Sequence, residues 1–140
     1  MGLNLVRATY WLGAIVDALA GVQLLVPTSA TILGFSGLRA PGAAGYPAVT
    51  AAILMFGFSM ILVWAHLRTV DRRRVLLFTL LVVVALALAN IAFGSSGTLP
   101  WSKLVPPLLI QAILITLFAT SYSITVKEAA RRAALTSASS

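Results

Sequence analysis

Four long apolar stretches run along the chain, separated by shorter segments rich in Gly, Pro, Ser and Arg. The stretches occupy residues 8–26, 47–65, 75–93 and 104–126. Each holds about 19–23 residues, which in an α-helix extend over roughly 28–35 Å and match a hydrocarbon core of ~30 Å. Open strands would leave backbone groups unpaired in lipid, so the pattern predicts four transmembrane helices.

The segments between the stretches carry the expected helix boundaries. Pro27 ends the first stretch, and the Gly, Pro and Ser residues that crowd 28–47 predict a long loop. Ser102 is predicted to cap the fourth helix, with Pro106 and Pro107 in its first turn, where proline is tolerated.

The whole chain, residues 1–140, is therefore predicted to form one all-α domain, a transmembrane four-helix bundle. Residues 127–140 make a tail that we expect to continue the fourth helix outside the membrane and to fray from Thr136. The first stretch is too long for a signal peptide, and Thr28-Ser29-Ala30 is a poor cleavage site, so we expect an uncleaved first span.

Composition supports lipid as the solvent. Hydrophobic residues make up 60% of the chain and charged residues only 9%, whereas a soluble domain carries about 25% charged residues. The absence of cysteine excludes thiol–disulfide exchange and thiolate metal sites, and a single histidine excludes a bis-histidine haem within one subunit.

Basic residues are concentrated at one end of the predicted bundle. Eight of the ten Lys and Arg residues fall there: Arg7, Arg68, Arg72, Arg73, Arg74, Lys127, Arg131 and Arg132. Arg39 and Lys103 fall at the other end. This bias predicts that both termini are cytoplasmic (N-in/C-in), and it explains the net charge of +7 without a nucleic-acid partner.

Asp17 is the candidate functional residue, because it lies ten residues beyond Arg7 and hence about 15 Å into the first span. An acid at the bilayer centre costs at least ~2.5–3.5 kcal/mol and is a functional hypothesis by default. Asn90 and Gln111 fall in the same central-to-outer half of the bilayer. The three side chains are therefore a candidate proton- or ligand-binding cluster. The alternatives are that Asp17 is interhelical glue or that it pairs with a cation from another chain.

Small residues mark candidate packing positions. Gly13, Asp17 and Gly21 are spaced at i, i+4 and i+8 on one helix face, which allows close approach of a second helix. Gly57 in the second span is a further candidate. These glycines can pack inside the bundle or against another copy of the chain.

Between the second and third spans lies the densest charge cluster, formed by Arg68, Arg72, Arg73 and Arg74. Its simplest interpretation is a topology signal. The second is a site for anionic lipid headgroups. Enzyme signatures are missing from the sequence: there is no phosphate-binding loop, paired intramembrane acid, catalytic triad pattern or metal-ligand spacing. No enzymatic activity, cofactor or metal is therefore expected.

Two segments carry a resemblance to a known group of proteins. They are Tyr-Trp-Leu-Gly-Ala-Ile-Val-Asp-Ala-Leu at 10–19, followed by Pro27, and the run from Leu54-Met through Trp64-Ala to Arg-Thr-Val-Asp-Arg-Arg-Arg-Val-Leu-Leu at 68–77. Over roughly three helices the chain resembles bacterial four-helix membrane proteins without an assigned activity. The resemblance implies the fold and a multi-pass location in the bacterial cytoplasmic (inner) membrane.

The chain is also loosely similar to small multidrug resistance transporters, which have four helices and an acid in the first span. In that family the acid exchanges protons for cationic drugs, a role that would fall to Asp17. The chain departs from the family in having Asp rather than Glu, a loop of about twenty residues after the first span, and a strongly biased orientation.

These observations favour a non-enzymatic membrane protein that acts as a structural or accessory subunit or as a homo-oligomer. Its expected partners are membrane lipids and a second copy or another membrane subunit. Two alternatives remain open. One is a proton-coupled transporter of ions or small molecules that uses Asp17, and the other is a protein that binds anionic lipids through the arginine cluster.

Overall fold

Four α-helices make up the fold of the computed structural model, which describes residues 2–25 and 45–138, with side chains from residue 49 onward in the second range. They are α1 (Gly2–Leu25), α2 (Gly45–His66), α3 (Arg73–Ser95) and α4 (Trp101–Ala138). No strand occurs within these ranges. The all-α prediction is confirmed, and all four helices are long and apolar enough to cross a membrane.

Two helices extend further than the hydrophobic pattern predicts. Helix α1 begins at Gly2 rather than at residue 8, because its first turn packs against α4, where the position of a Gly2 Cβ lies 3.0 Å from the Ile124 side chain. Helix α4 has 38 residues and so is roughly 57 Å long. It continues without a break to Ala138, so the predicted fraying from Thr136 is not seen, and residues 139–140 lie outside the described ranges.

The predicted start of α4 is also wrong. The Lys103 amide donates to the Pro100 carbonyl at 3.0 Å, and the helix begins at Trp101, so Ser102 lies inside the first turn instead of capping it. Pro106 and Pro107 therefore lie in the second turn. Each lacks the N–H that would bond to the carbonyl four residues earlier, which weakens the backbone hydrogen bonding near the start of α4.

Helices that follow one another in sequence form two pairs, α1 with α2 and α3 with α4, and contact between α1 and α4 joins the pairs. Helix α1 packs extensively on α2, α3 packs on α4, and α1 lies against α4, whereas α2 and α3 make few contacts. The start of α1, the connection between α2 and α3, and the C-terminal part of α4 lie together. We call this the basic end, because it gathers the eight Lys and Arg residues named above.

The core between these helices is apolar but contains a few paired polar groups. Tyr10 and Phe118 are its largest fully buried side chains. The Tyr10 hydroxyl donates to the Arg72 carbonyl at 3.3 Å and so fixes the connection between α2 and α3 to α1. The hydroxyls of Thr9 and Ser121 share a hydrogen bond of 2.8 Å that ties α1 to α4.

Gly13 and Gly21 both lie at close helix contacts. A Cβ at Gly13 would approach Phe118 Cζ to 2.8 Å and Leu62 Cδ1 to 3.1 Å. A Cβ at Gly21 would lie 3.2 Å from the Phe56 ring and 3.3 Å from the Ala52 carbonyl oxygen. Gly57 differs, because it is exposed and a Cβ there would meet no described atom within 4 Å. Gly57 therefore does not pack against any other helix in the described ranges, and its predicted contact with a second chain stays a prediction.

We predict that Gly13→Val lowers the free energy of unfolding by about 1–3 kcal/mol, the usual cost of overpacking a filled core. Phe118 is fully buried and cannot move aside without displacing its own neighbours. Gly57→Val is the matched control, with the same change of helix propensity and free space around it, and should stay within about 0.5 kcal/mol of the unsubstituted protein. Unfolding in mixed micelles measures both, and equal effects would contradict the packing assignment.

Candidate functional site

A cavity of about 70 Å³ lies between the four helices and is lined by residues from each of them. Two of its lining side chains, Asp17 and Gln111, are strongly polar. The rest are apolar: Val16, Ala20, Met55, Val83, Leu86, Pro107, Ile110 and Leu114. At roughly 30 Å³ per water molecule the cavity holds about two waters or a small ion, whereas sites for drug-sized ligands span about 300–1,000 Å³.

Asp17 reaches this cavity because of its position between two close helix contacts. Gly13 and Gly21 lie one turn to either side, and at those levels α1 touches Phe118 of α4 and Phe56 of α2. Between them, Val16, Asp17 and Ala20 face the cavity. The spacing of small residues thus brings the helices together above and below the acid and leaves space at the acid itself.

The Asp17 carboxyl forms no hydrogen bond or ion pair with any residue that the structure describes, although the side chain is half-buried. No Lys, Arg or His is among the described residues that line its cavity. This separates Asp17 from the other polar groups of the interior. Thr9 and Ser121 pair with each other, and Ser59 donates to the Ala14 carbonyl at 2.9 Å and contacts the Met55 carbonyl at 3.0 Å.

The three residues of the predicted polar cluster are brought together only in part. Gln111 is buried and lines the cavity with Asp17. Its Oε1 accepts a hydrogen bond of 3.2 Å from Asn90 Nδ2, which links α3 to α4. Asn90 is not among the residues that line the cavity. It holds the Gln111 side chain instead, and its predicted direct role in binding a ligand or proton stays a prediction.

Sequence reasoning missed Pro107 as a part of the site. Pro107 and Gln111 are spaced at i and i+4, so they share one face of α4, and both line the cavity. The spacing was visible in the sequence, but the predicted helix start placed this proline in a terminal turn rather than at a cavity wall.

The four arginines predicted to bind lipid headgroups make different contacts, and their role stays a prediction. The Arg72 guanidinium lies over the Trp64 ring, 3.4 Å from its centroid, and donates to the Trp64 carbonyl. Arg73 donates to the Val70 carbonyl at 3.4 Å, and Arg74 is exposed. Arg68 instead lines a separate cleft at the basic end.

Among the described residues there is no group of three or more His, Asp or Glu side chains that could hold a metal ion. His66 lies at the end of α2 with its ring 5.7 Å from that of Trp11, in an edge-on arrangement. Its Nδ1 is buried and has no hydrogen-bond partner in the described part of the chain.

Comparison of the chain with protein-family models, curated proteins and solved structures finds no match. Nothing in these comparisons bears on the two resemblances noted in the sequence, which stay predictions. The cavity around Asp17 must therefore be interpreted from its own geometry.

We predict that Asp17→Leu raises the free energy of unfolding by about 0.5–2 kcal/mol, because it removes a polar group that lacks a partner and fills cavity space. Thr9→Val is the contrasting substitution, since it breaks the interhelical bond to Ser121 and should lower the free energy of unfolding by about 0.6 kcal/mol. Unfolding in mixed micelles distinguishes the two. A loss of stability in Asp17→Leu as large as that in Thr9→Val would mean that the acid is structural glue.

Proposed function

We propose that this protein is a multi-pass integral membrane protein that binds a proton or a small cation at Asp17 and moves it through the bundle. The observation that carries the proposal is the Asp17 carboxyl, which lines a cavity between four apolar helices and has no partner among the described residues. The proposal has three supports: the outer surface of the bundle, the pairing of the other interior polar groups, and the size of the cavity.

The outer surface supports a lipid environment. Large apolar side chains project from all four helices, and Met60 is 73% exposed. A water-soluble monomer rarely exposes so extensive an apolar surface. Trp11 and Trp64 are about half exposed near the basic end, and Trp101 is equally exposed at the start of α4 on the opposite end. Tryptophans at both ends of an apolar band are typical of the two membrane interfaces.

The pairing of the interior polar groups argues against a purely structural role for Asp17. Interhelical glue works through hydrogen bonds, and Thr9, Ser59, Asn90 and Gln111 all make them. Asp17 does not. An acid within a membrane span is energetically costly, and the Asp17 carboxyl lies beside a cavity without a bonding partner among the described residues. These are the properties expected of a group that binds and releases a ligand during function.

The cavity itself restricts what the partner is. A carboxyl group offers oxygen atoms and, when ionised, a negative charge, so it takes up a proton or a cation. A volume of about 70 Å³ accommodates a proton with one or two waters or a small cation. The cavity between the described helices is smaller than the sites that usually take drug-sized ligands, so a proton or small cation is favoured.

A structural or accessory subunit, or a homo-oligomer, is the function that the sequence favours, and it stays a prediction. The exposed Gly57 favours contact with a second chain. A purely structural function does not explain the cavity beside Asp17. We therefore propose ion or proton binding as the main function.

We predict that purified protein in liposomes carries protons or small monovalent cations, and that Asp17→Asn lowers the flux to the level of protein-free liposomes. Asn keeps the size and shape of Asp but cannot exchange a proton or supply a negative charge. An internal pH-sensitive dye, with a potassium diffusion potential as the driving force, reports proton flux, and radioactive sodium or potassium uptake reports cations. Asp71→Asn is the control, because it removes an acid from the connection between α2 and α3. Unchanged flux in Asp17→Asn would refute the proposal.

We further predict that the basic end faces the cytoplasm, as the distribution of Lys and Arg requires. The chain has no cysteine, so single cysteines can be introduced without removing others. Thr98→Cys, between α3 and α4, should react with a membrane-impermeant maleimide on intact bacterial cells. Ala134→Cys, in the α4 extension, should react only after permeabilisation. The reverse pattern would invert the topology.

A further inference from the structure

A second candidate site lies at the basic end, remote from the Asp17 cavity. It is a cleft of about 220 Å³ between the first turns of α1, the connection between α2 and α3, and the extension of α4. Three arginines from these three separate segments line it: Arg7, Arg68 and Arg132. Their convergence depends on the extension of α4, which the sequence predicts, and on the early start of α1, which it does not.

The charges in this cleft are only partly compensated. The guanidinium groups of Arg7 and Arg68 form no ion pair or hydrogen bond with another residue in the described ranges. Arg132 contacts Glu128 through its Nε at 3.3 Å, and its side chain is 56% exposed. Within the described ranges its two terminal nitrogens make no hydrogen bond. Asp71 is the one acid among the described residues that line the cleft. The described side chains of the cleft thus carry three positive charges and one negative charge, an excess of two.

The other arginines of the basic end do not line this cleft, and two of them are engaged elsewhere. Arg72 is held by Trp64, and Arg73 bonds the Val70 carbonyl. Arg74 and Arg131 are exposed and do not line the cleft. Arg7, Arg68 and Arg132 are therefore the arginines of the basic end whose side chains converge on the cleft.

We infer that this cleft binds a phosphate group, held by the guanidinium groups of Arg7, Arg68 and Arg132. Guanidinium groups present paired N–H donors that match phosphate oxygens. Leu67 lines the same cleft and is 74% exposed, so an apolar surface adjoins the charged one. That combination favours the phosphate of an anionic lipid over free phosphate, since a lipid presents its headgroup and acyl chains together.

The inference is tested with the full chain purified in a non-ionic detergent. Binding of phosphatidylglycerol and of zwitterionic phosphatidylcholine is measured by native mass spectrometry, and inorganic phosphate is titrated separately while the thermal unfolding midpoint is recorded. We expect Arg7→Gln/Arg68→Gln to weaken phosphatidylglycerol binding about 10–30-fold. The control Arg74→Gln/Arg131→Gln removes the same charge outside the cleft and should change binding less than about threefold.

Asp71→Asn provides a test that does not depend on losing binding. Removing the only acid of the cleft should strengthen phosphatidylglycerol binding about two- to fivefold, a gain that a misfolded variant would not give. A rise in the unfolding midpoint with inorganic phosphate alone would support the site and identify free phosphate as a ligand. Two results would overturn the inference. One is an equal loss of phosphatidylglycerol binding in the two double variants. The other is an unsubstituted protein that binds phosphatidylglycerol no better than phosphatidylcholine and whose unfolding midpoint does not rise with inorganic phosphate.

Discussion

Polar groups enclosed among apolar helices must find partners within the protein, and this constraint organises most of the interior. Water is not available to replace a missing hydrogen bond, so an unpaired group carries its full desolvation cost. Thr9 pairs with Ser121, Asn90 with Gln111, and Ser59 with the Ala14 carbonyl. Each bond joins two different helices. The contacts that satisfy the polar groups are therefore also the contacts that fix how the helices face one another.

Two groups depart from this pattern among the described residues: the buried His66 Nδ1 at the end of α2 and the half-buried Asp17. The packing around Asp17 explains how the acid is accommodated. Glycines one turn to either side bring α1 against Phe118 and Phe56. The aromatic rings fill the space beside Gly13 and Gly21, where α1 has no side chain, and the space beside Asp17 between them stays open. The face of α1 that carries Gly13 and Gly21 thus allows close contact with α2 and α4, and it leaves a cavity between the two contacts.

The sequence was sufficient for the number of helices and for their approximate positions, because stretches of about 20 apolar residues have few alternatives. The depth of Asp17 and Gln111 in their predicted spans also suggested that the two side chains lie near each other, and both line the cavity. The sequence could not give rotation about the helix axes, so it could not show that Asn90 bonds Gln111 rather than reaching the cavity. Nor could it show that Gly57 lies outside the packed core. Hydropathy also fails to predict where the helices end. Polar residues beyond an apolar stretch can continue the helix when a neighbouring helix packs against them, as α4 packs against the first turn of α1 at Gly2.

The two candidate sites meet on α1, where Arg7 and Asp17 are ten residues, or roughly 15 Å, apart along one rigid helix. The contacts that hold α1 against α4 lie between them: the Thr9–Ser121 hydrogen bond and the Phe118 ring over Gly13. A ring that fills the space of an absent side chain resists sliding of one helix along the other, since any displacement brings it against backbone or the neighbouring turn. Sliding of α1 along α4 would change the separation of Arg7 from Arg132 and that of Asp17 from Gln111 together. The interlocked Gly13–Phe118 contact therefore helps to fix the geometry of both candidate sites.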